Sequence, residues 1–476
     1  MGGEEDRVAR LEAQVARLVE AVAARDAEIA DLRAENARLR GRVAELEAKL
    51  GQNSTNSQKP PSSDPPGTRP SKSPTGRKRG AQPGHKPHKR VLLPPEQVTR
   101  TTVVKPKTCK CCGGRHLKVS DAEPRVHQVV EAPEARPDVH EIRMHAADCL
   151  DCGETTWGAL PEGVPEHMFG PRLLALIGYF LAARTSRRQL QELLAEVFGI
   201  RVCLGALSEA EARVSAAVAA PVNEAVEHAQ AQKVKHTDAT TWRREGAYAA
   251  LWTIVTPLVA VYFITKDACR DTIASLLGTL RGTLITDRGS QFGFWAMNQR
   301  QICWAHLIRK FVAFSERKDE GAQVGDHLLL LAQAMLSAWH RVRDGTLSRA
   351  RYQDMARNAQ VVMETLLARG VELRLKGLSG SCQDILDHKA ALFTFAFKPG
   401  VEPTNNRAER ALRAFVLWRK VSFGSQSERG CLFAQRIMTV SQTLRLQGRS
   451  VCAFLIEACR AHLAGTRSPS LLPSTR

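Results

Sequence analysis

Between Val8 and Leu50 apolar residues recur at alternating spacings of three and four, the period of a helix that buries one seam. Val8, Val15, Val22, Ile29, Asn36 and Val43 fall at the a positions of a heptad. Leu11, Leu18, Leu32, Leu39 and Leu46 fall at d, with Arg25 the one interruption. β-Branched residues at a with Leu at d favour a parallel two-stranded coil, and a lone Asn at a sets its register. Across such a pair each g residue meets an e residue, which brings together Glu28 with Arg33, Glu35 with Arg40 and Arg42 with Glu47. All three pairs are of opposite sign. Residues 1–50 are therefore predicted to be a dimerising parallel coiled coil.

The period then lapses. Residues 51–95 are rich in Asn, Ser, Pro and Gly and read as a basic, flexible tether. Over 51–90, Lys59, Arg69, Lys72, Arg77, Lys78, Arg79, Lys86, Lys89 and Arg90 stand against Asp64 alone. Basic side chains that meet phosphates release condensed counterions, so Arg77, Lys78, Arg79, Lys89 and Arg90 are candidate DNA contacts. Residues 96–160 carry Cys109-Lys-Cys111-Cys112-Gly-Gly and Cys149-Leu-Asp-Cys152-Gly. Two Cys-x-x-Cys turns, each followed by Gly, are what four thiolates need to surround Zn2+ tetrahedrally. Cys109, Cys112, Cys149 and Cys152 are the predicted zinc ligands; Cys111 competes with Cys112, but only Cys109 with Cys112 keeps the two-residue gap. Alternation across 117–148 predicts a few short strands, making a zinc-ribbon-like module. Residues 161–230 take a helical period, with Leu190, Leu193, Leu194 and Val197 on one face, a stop at Gly199 and a new helix near Ser208. A DNA-reading helix-turn-helix and a plain helical connector both fit that pattern.

From Val234 the period changes from helix to strand. Val234–Trp242, Tyr248–Val255 and Leu258–Thr265 are predicted strands, followed by a helix over Asp271–Leu280, strands over Gly282–Thr286 and Gln301–Trp304, and a helix opening at His306. That is the element order of a ribonuclease H-like fold. It occupies 231–425, with an all-helical insertion at about 320–390, and a helical region and tail follow at 426–476. In this fold the middle of the first strand lies beside the end of the fourth, which makes neighbours of Asp238 and Asp287. A third acid comes from Thr404-Asn405-Asn406-Arg407-Ala408-Glu409-Arg410, where Asn405 or Asn406 would cap a helix and Glu409 falls in its first turn. Asp238, Asp287 and Glu409 together form a cage suited to two hard divalent cations. Arg410 and Arg413 follow at helical spacing, positioned for DNA phosphates.

Composition adds a partner. The chain has 476 residues, more than one core, and its 68 Lys and Arg against 49 Asp and Glu leave +19. An excess of that size points to nucleic acid. No apolar run reaches the roughly 18 residues of a membrane span, and the charged N-terminus lacks a signal peptide's apolar core. Most of the remaining Cys sit singly in apolar runs, a pattern of reduced, intracellular proteins.

Taken together these motifs resemble the transposases of the insertion sequence 66 family over nearly the whole chain. The resemblance rests on the coiled coil running into Asn53-Ser-Thr-Asn-Ser-Gln-Lys-Pro-Pro-Ser-Ser-Asp64, on Arg79-Gly-Ala-Gln-Pro-Gly-His85, on the paired knuckles, on Cys303-Trp-Ala-His306 and on Asn405-Asn-Arg-Ala-Glu-Arg410. It implies a cytoplasmic, nucleoid-associated bacterial enzyme of the Asp-Asp-Glu type, acting on double-stranded DNA at its element's terminal inverted repeats and at a target. It also implies Mg2+ (or Mn2+) as the ion and two accessory proteins from the same element. Two positions depart from the family pattern: Ala239 follows Asp238 where Glu is usual, and Thr404 precedes Asn405 where Asp is usual. The Cys303–His306 pair reads as packing, with His306 a neighbour of the active centre. A non-catalytic DNA-binding regulator derived from a transposase, and a nuclease that cuts without joining, are the alternative readings.

Leu32→Pro removes a backbone donor inside the coil and places a ring against the preceding turn. The variant should sediment as a smaller species than the unaltered chain; an unchanged oligomer would refute the dimer.

Overall fold

The computed structural model describes residues 2–57, 64, 92–278 and 281–473. It forms two compact units, one drawn from residues 1–69, 142–192 and 202–476, the other from 70–141 and 193–201.

In the larger unit, α1 (Gly2–Leu50) is one unbroken helix. Its described seam residues, among them Val15, Leu18, Val22, Ile29, Leu32 and Leu39, stand in solvent on the single chain. The predicted tether begins with an ordered turn, because short polar side chains bond nearby backbone in place of a ladder. Asn53 Oδ1 accepts from the Thr55 amide at 2.7 Å, and Asp64 Oδ1 accepts from the Ser54 amide at 2.8 Å. Asn56 Nδ2 donates to the Gly51 carbonyl and to Glu316 Oε2.

In the smaller unit, residues 92–141 hold a single 3-10 turn at Pro95–Gln97 and, as described, no strand. The strands expected over 117–148 reduce to β1 (Ala146–Asp148), which pairs antiparallel with β2 (Thr155–Trp157) in the larger unit. The reason is burial: Val119, Val126, Val129 and Val139 are exposed, and alternation builds no sheet without a surface to cover.

Helices α2 (Pro171–Ala182), α3 (Arg187–Phe198), α4 (Leu204–Ala217) and α5 (Ala219–Ala231) follow. Arg187 makes a two-pronged ion pair with Glu211, both contacts at 2.5 Å. Next come β3 (Val234–Arg244), β4 (Ala247–Val255), β5 (Ala260–Thr265), α6 (Arg270–Leu277), β6 (Thr283–Thr286) and β7 (Arg300–Ile302). These five strands form one mixed sheet in the order β5-β4-β3-β6-β7. β3, β4 and β5 are antiparallel, whereas β6 and β7 run parallel to β3. Glu245 and Gly246, both at positive φ, make the tight two-residue turn between β3 and β4.

After α7 (Trp304–Ser315) the chain leaves the sheet for α8 (Gly321–Arg343), α9 (Arg349–Glu372), α10 (Ser379–Asp387) and α11 (Thr394–Phe397). This helical excursion is keyed to β7 and α7 by aromatic packing. The Phe395 ring lies 5.3 Å from Trp304 and 5.2 Å from Trp339, edge to face. Gln301 locks the junction, donating to the Leu392 carbonyl and accepting from the Phe395 amide.

The chain returns through α12 (Asn406–Ser422), α13 (Glu428–Leu446) and α14 (Val451–Leu463). Phe415 seats α12 on the sheet, 5.3 Å from Trp242 and 5.0 Å from Tyr262. α13 covers the open edge of β5, where the amides of Ala260, Tyr262 and Ile264 donate to Thr443 Oγ1, Thr439 Oγ1 and Gln435 Oε1. Two residues of strand advance about 6.7 Å and four of helix about 6 Å, so acceptors four apart track amides two apart. An edge that would otherwise recruit foreign strands is thereby closed. Among the described residues no helix is long and apolar enough to cross a membrane.

Phe395→Ala should cost about 3–5 kcal/mol by emptying the aromatic junction. Chemical denaturation would measure it, and a loss under about 1 kcal/mol would mean that the insertion is held elsewhere.

Candidate active site

The parallel register of β3 and β6 builds the site. His236 is paired with Ile285, so Asp238, in the middle of β3, and Asp287, just past the end of β6, each two residues further on, stand level and on one face. That face is the one α12 covers, since Trp242 shares its alternation with Asp238 and meets Phe415. The third acid, Glu409, sits in the first turn of α12. Asp287 and Glu409 both act electrostatically on Asp238. Burial, then the Asp287 charge, with a smaller part from Glu409, drive the Asp238 carboxyl from 3.8 up to about 7, while the Ala239 amide at 2.8 Å and Arg309 pull the other way. Asp287 Oδ1 is held by the Gly289 amide at 2.9 Å. Beneath it the buried Arg300 guanidinium donates to the Asp287 carbonyl and to Thr286 Oγ1, each at 3.2 Å.

Asn405 corrects one expectation. It occupies the position before α12, yet its side chain makes no cap there, and Asn406 is already helical. The amide reaches the sheet instead: Nδ2 donates to the Thr237 carbonyl at 2.8 Å, and Oδ1 lies 3.3 Å from His236 Nδ1. Its backbone amide donates to Cys303 Sγ at 3.1 Å. One buried residue thus ties together the strand of Asp238, the start of α7 and the helix of Glu409. Cap and clasp need the same short polar side chain, and only the tertiary neighbours decide between them.

Cys303 and His306 lie beside Glu409. Together with Glu409 they bring one potential ligand atom each to within 4.8 Å of one another. Burial pushes the Cys303 thiol up to about 11, so it stays protonated and serves as a hydrogen-bond acceptor. His306 Nδ1 is 3.7 Å from Glu409 Oε1, but burial lowers the imidazole's pKa, and the contact is not an ion pair. Both of those atoms are buried with no hydrogen-bond partner. Arg309, one turn along α7, stands 3.9 Å from Glu409 Oε2. Sequence reasoning missed it, although its three-residue spacing from His306 was readable.

Among the other predicted residues, each Cys-x-x-Cys segment forms a local turn of its own. The Cys109 amide donates to the Gly114 carbonyl and the Gly113 amide to Cys109; Cys149, Gly153 and Glu154 repeat the pattern. Gly113 and Gly153 take φ of 72 and 73, which only glycine adopts freely. Hydrogen bonds from Cys112 and Cys111 lower the Cys109 pKa, and those from Cys152 and Asp151 lower that of Cys149. Arg410 and Arg413 lie exposed on α12. Arg77, Lys78, Arg79, Lys89 and Arg90 lie outside the described residues.

The geometry defines a mixed-sheet α/β protein in which Asp287 and Glu409 act electrostatically on Asp238. The family model described as "Transposase IS66 family" matches residues 166–432, and the chain belongs to that family. Residues 4–91 match a family of unknown function (DUF6444). An uncharacterized protein, y4hP, from Sinorhizobium fredii is 26% identical over 432 residues, covering 80% of this chain and 75% of its own.

Asp238 has a higher pKa folded than unfolded. Its contribution to stability is therefore present below about pH 4 and is lost as pH rises toward about 7. Metal-free protein should melt lower at about pH 8 than at about pH 5.5, and Asp238→Asn should shrink that difference. Added Mg2+ should raise the melting temperature more at the higher pH. An equal Mg2+ response in Asp238→Asn would contradict this assignment.

Proposed function

We propose that the chain is an active Asp-Asp-Glu transposase on a ribonuclease H-like core, cutting DNA at its element's ends and joining the 3′ ends to a target. The convergence of Asp238, Asp287 and Glu409 carries this reading. The strand order β5-β4-β3-β6-β7, with three antiparallel strands followed by two parallel ones, supports the fold assignment. The site also passes a test of fit for cations: burial and the neighbouring Asp287 and Glu409 charges push Asp238 up to about 7, and Glu409 Oε1 is buried without a partner. Oxygen donors of this kind suit Mg2+ or Mn2+. Bound there, such ions would supply Lewis acidity to the scissile phosphate and to the attacking oxygen, first of water and then of the freed 3′-hydroxyl.

Asp238, Asp287 and Glu409 are the residues that would hold the ions. The Gly289 amide fixes the Asp287 carboxylate, and the Asn405 clasp fixes the distance from α12 to β3. His306, kept neutral by burial, leaves the negative charge of Glu409 available. Double-stranded DNA is the partner, gripped in part by the basic segment around Arg77–Arg79. The exposed seam of α1 is proposed to pair two copies in parallel, and the thiolates of the Cys109/Cys112 and Cys149/Cys152 knuckles are proposed to hold Zn2+. Accessory proteins from the same element would complete the assembly, by resemblance alone.

Asp287→Asn tests the enzyme reading. With Mg2+ and DNA bearing the element's ends, the unaltered protein should yield nicked and joined products. The variant should lose both by more than about a hundredfold while still binding DNA. Binding without nicks in the unaltered protein would favour the regulator, and nicks without joining would favour the nuclease.

A further inference from the structure

Helix α12 carries chemistry on a second face. Arg410 and Arg413, with Arg184 just past the end of α2 and Gln442 and Arg445 on α13, line a cavity of about 220 Å3. Four arginines thus line one space, and among the described residues none of the four is paired with a carboxylate. Arg410 Nε donates to the carbonyl of Asn406 in its own helix. Like charges gathered without acids repel, an arrangement that an anion relieves.

Two further observations point the same way. Gln442 Nε2, a donor, is buried without any acceptor. Arg184 sits at φ 75, immediately after the C-cap of α2, where glycine is the ordinary residue. A left-handed conformation is costly for a residue with a side chain, and strain of this kind gathers at binding sites. Here it delivers the fourth cation to the cavity.

The lining names the ligand's chemistry. Guanidinium forks match phosphate oxygens in pairs, and an amide donor adds a further hydrogen bond. Placement names its source. Arg410 directly follows Glu409, and Arg413 lies one helical turn on, about 6 Å along the axis. A nucleic-acid strand rises about 3.4 Å per nucleotide, so a strand reacting at the acid cluster carries its next phosphates past this cavity. We propose that the four-arginine cavity seats a backbone phosphate of the DNA strand, one or two nucleotides from the scissile bond. This rests on the transposase reading of the acid cluster, and it adds Arg184, Gln442 and Arg445 to the DNA-binding surface.

The test uses the full chain and the double variant Arg184→Gln/Arg445→Gln, which leaves α12 untouched. Its affinity for duplex DNA should fall alike for element ends and unrelated sequence, and the slope of log affinity against log salt should shallow by about 0.9 for each phosphate that is no longer neutralised. Arg184→Lys/Arg445→Lys should keep the slope, and unchanged melting temperatures would exclude misfolding. A scan of single neutral methylphosphonates through the strand should find a position that weakens the unaltered protein and leaves the Gln variant indifferent. The proposal is overturned by an unchanged slope, or by the same loss of affinity in the charge-matched control Arg341→Gln/Arg351→Gln on the insertion. A flat methylphosphonate scan with competition by inorganic phosphate but not sulfate would overturn the DNA assignment in favour of a free anion. If the unaltered protein binds no DNA, the transposase reading falls first and this one with it; if binding is intact but the slope is unmoved, only the cavity is wrong.

Discussion

Burial of the Asp238 carboxyl within reach of the Asp287 and Glu409 charges is the constraint on which the centre of this protein turns. Adjacent strands lie about 4.8 Å apart, and Asp238 and Asp287 stand level on two of them. The protein's own compensation is partial: one backbone amide on each aspartate, Arg300 beneath Asp287 and Arg309 at 3.9 Å from Glu409. Burial first, and then the Asp287 charge with a smaller part from Glu409, outweigh these and raise the pKa of Asp238. A carboxyl buried beside like charges is one whose burden a bound cation would relieve.

The distances are set by groups that carry no charge. Asn405 links α12, β3 and the start of α7 through its side-chain amide and backbone, and His236 behind it has its pKa pushed down to about 4 by burial. A charged clasp would have added its own field to an already crowded site. Neutral hydrogen bonds fix geometry without altering the electrostatic balance, and their buried setting makes each one expensive to break.

The sheet was legible in the sequence because its signals are local. Period-two runs marked β3, β4 and β5, and the position of each acid within its strand was enough to make neighbours of Asp238 and Asp287. The cysteine knuckles were legible for the same reason, since glycine at positive φ after each pair is a requirement of the turn. Features that depend on tertiary neighbours were not. The alternation across 117–148 looked like strands, but its valines have no surface to cover. Asn405 looked like a cap because the sequence does not show which buried carbonyl lies within reach. The four-residue spacing of Gln435, Thr439 and Thr443 takes its meaning only from the edge of β5, whose amides they accept.

Position decides what the two departures from the family pattern mean. Asp238 faces α12, so Ala239, one residue on, faces away, opposite Trp252 in the register and on the side where Trp252 packs against Phe292. An acid at 239 would project from the far side of the strand and could not share a cation with Asp238 without breaking β3. Thr404 stands next to the clasp, yet the bonds that hold Glu409 in place run through Asn405, which is intact. Both positions therefore leave the strand placement of Asp238 and the hydrogen bonds of Asn405 as they are.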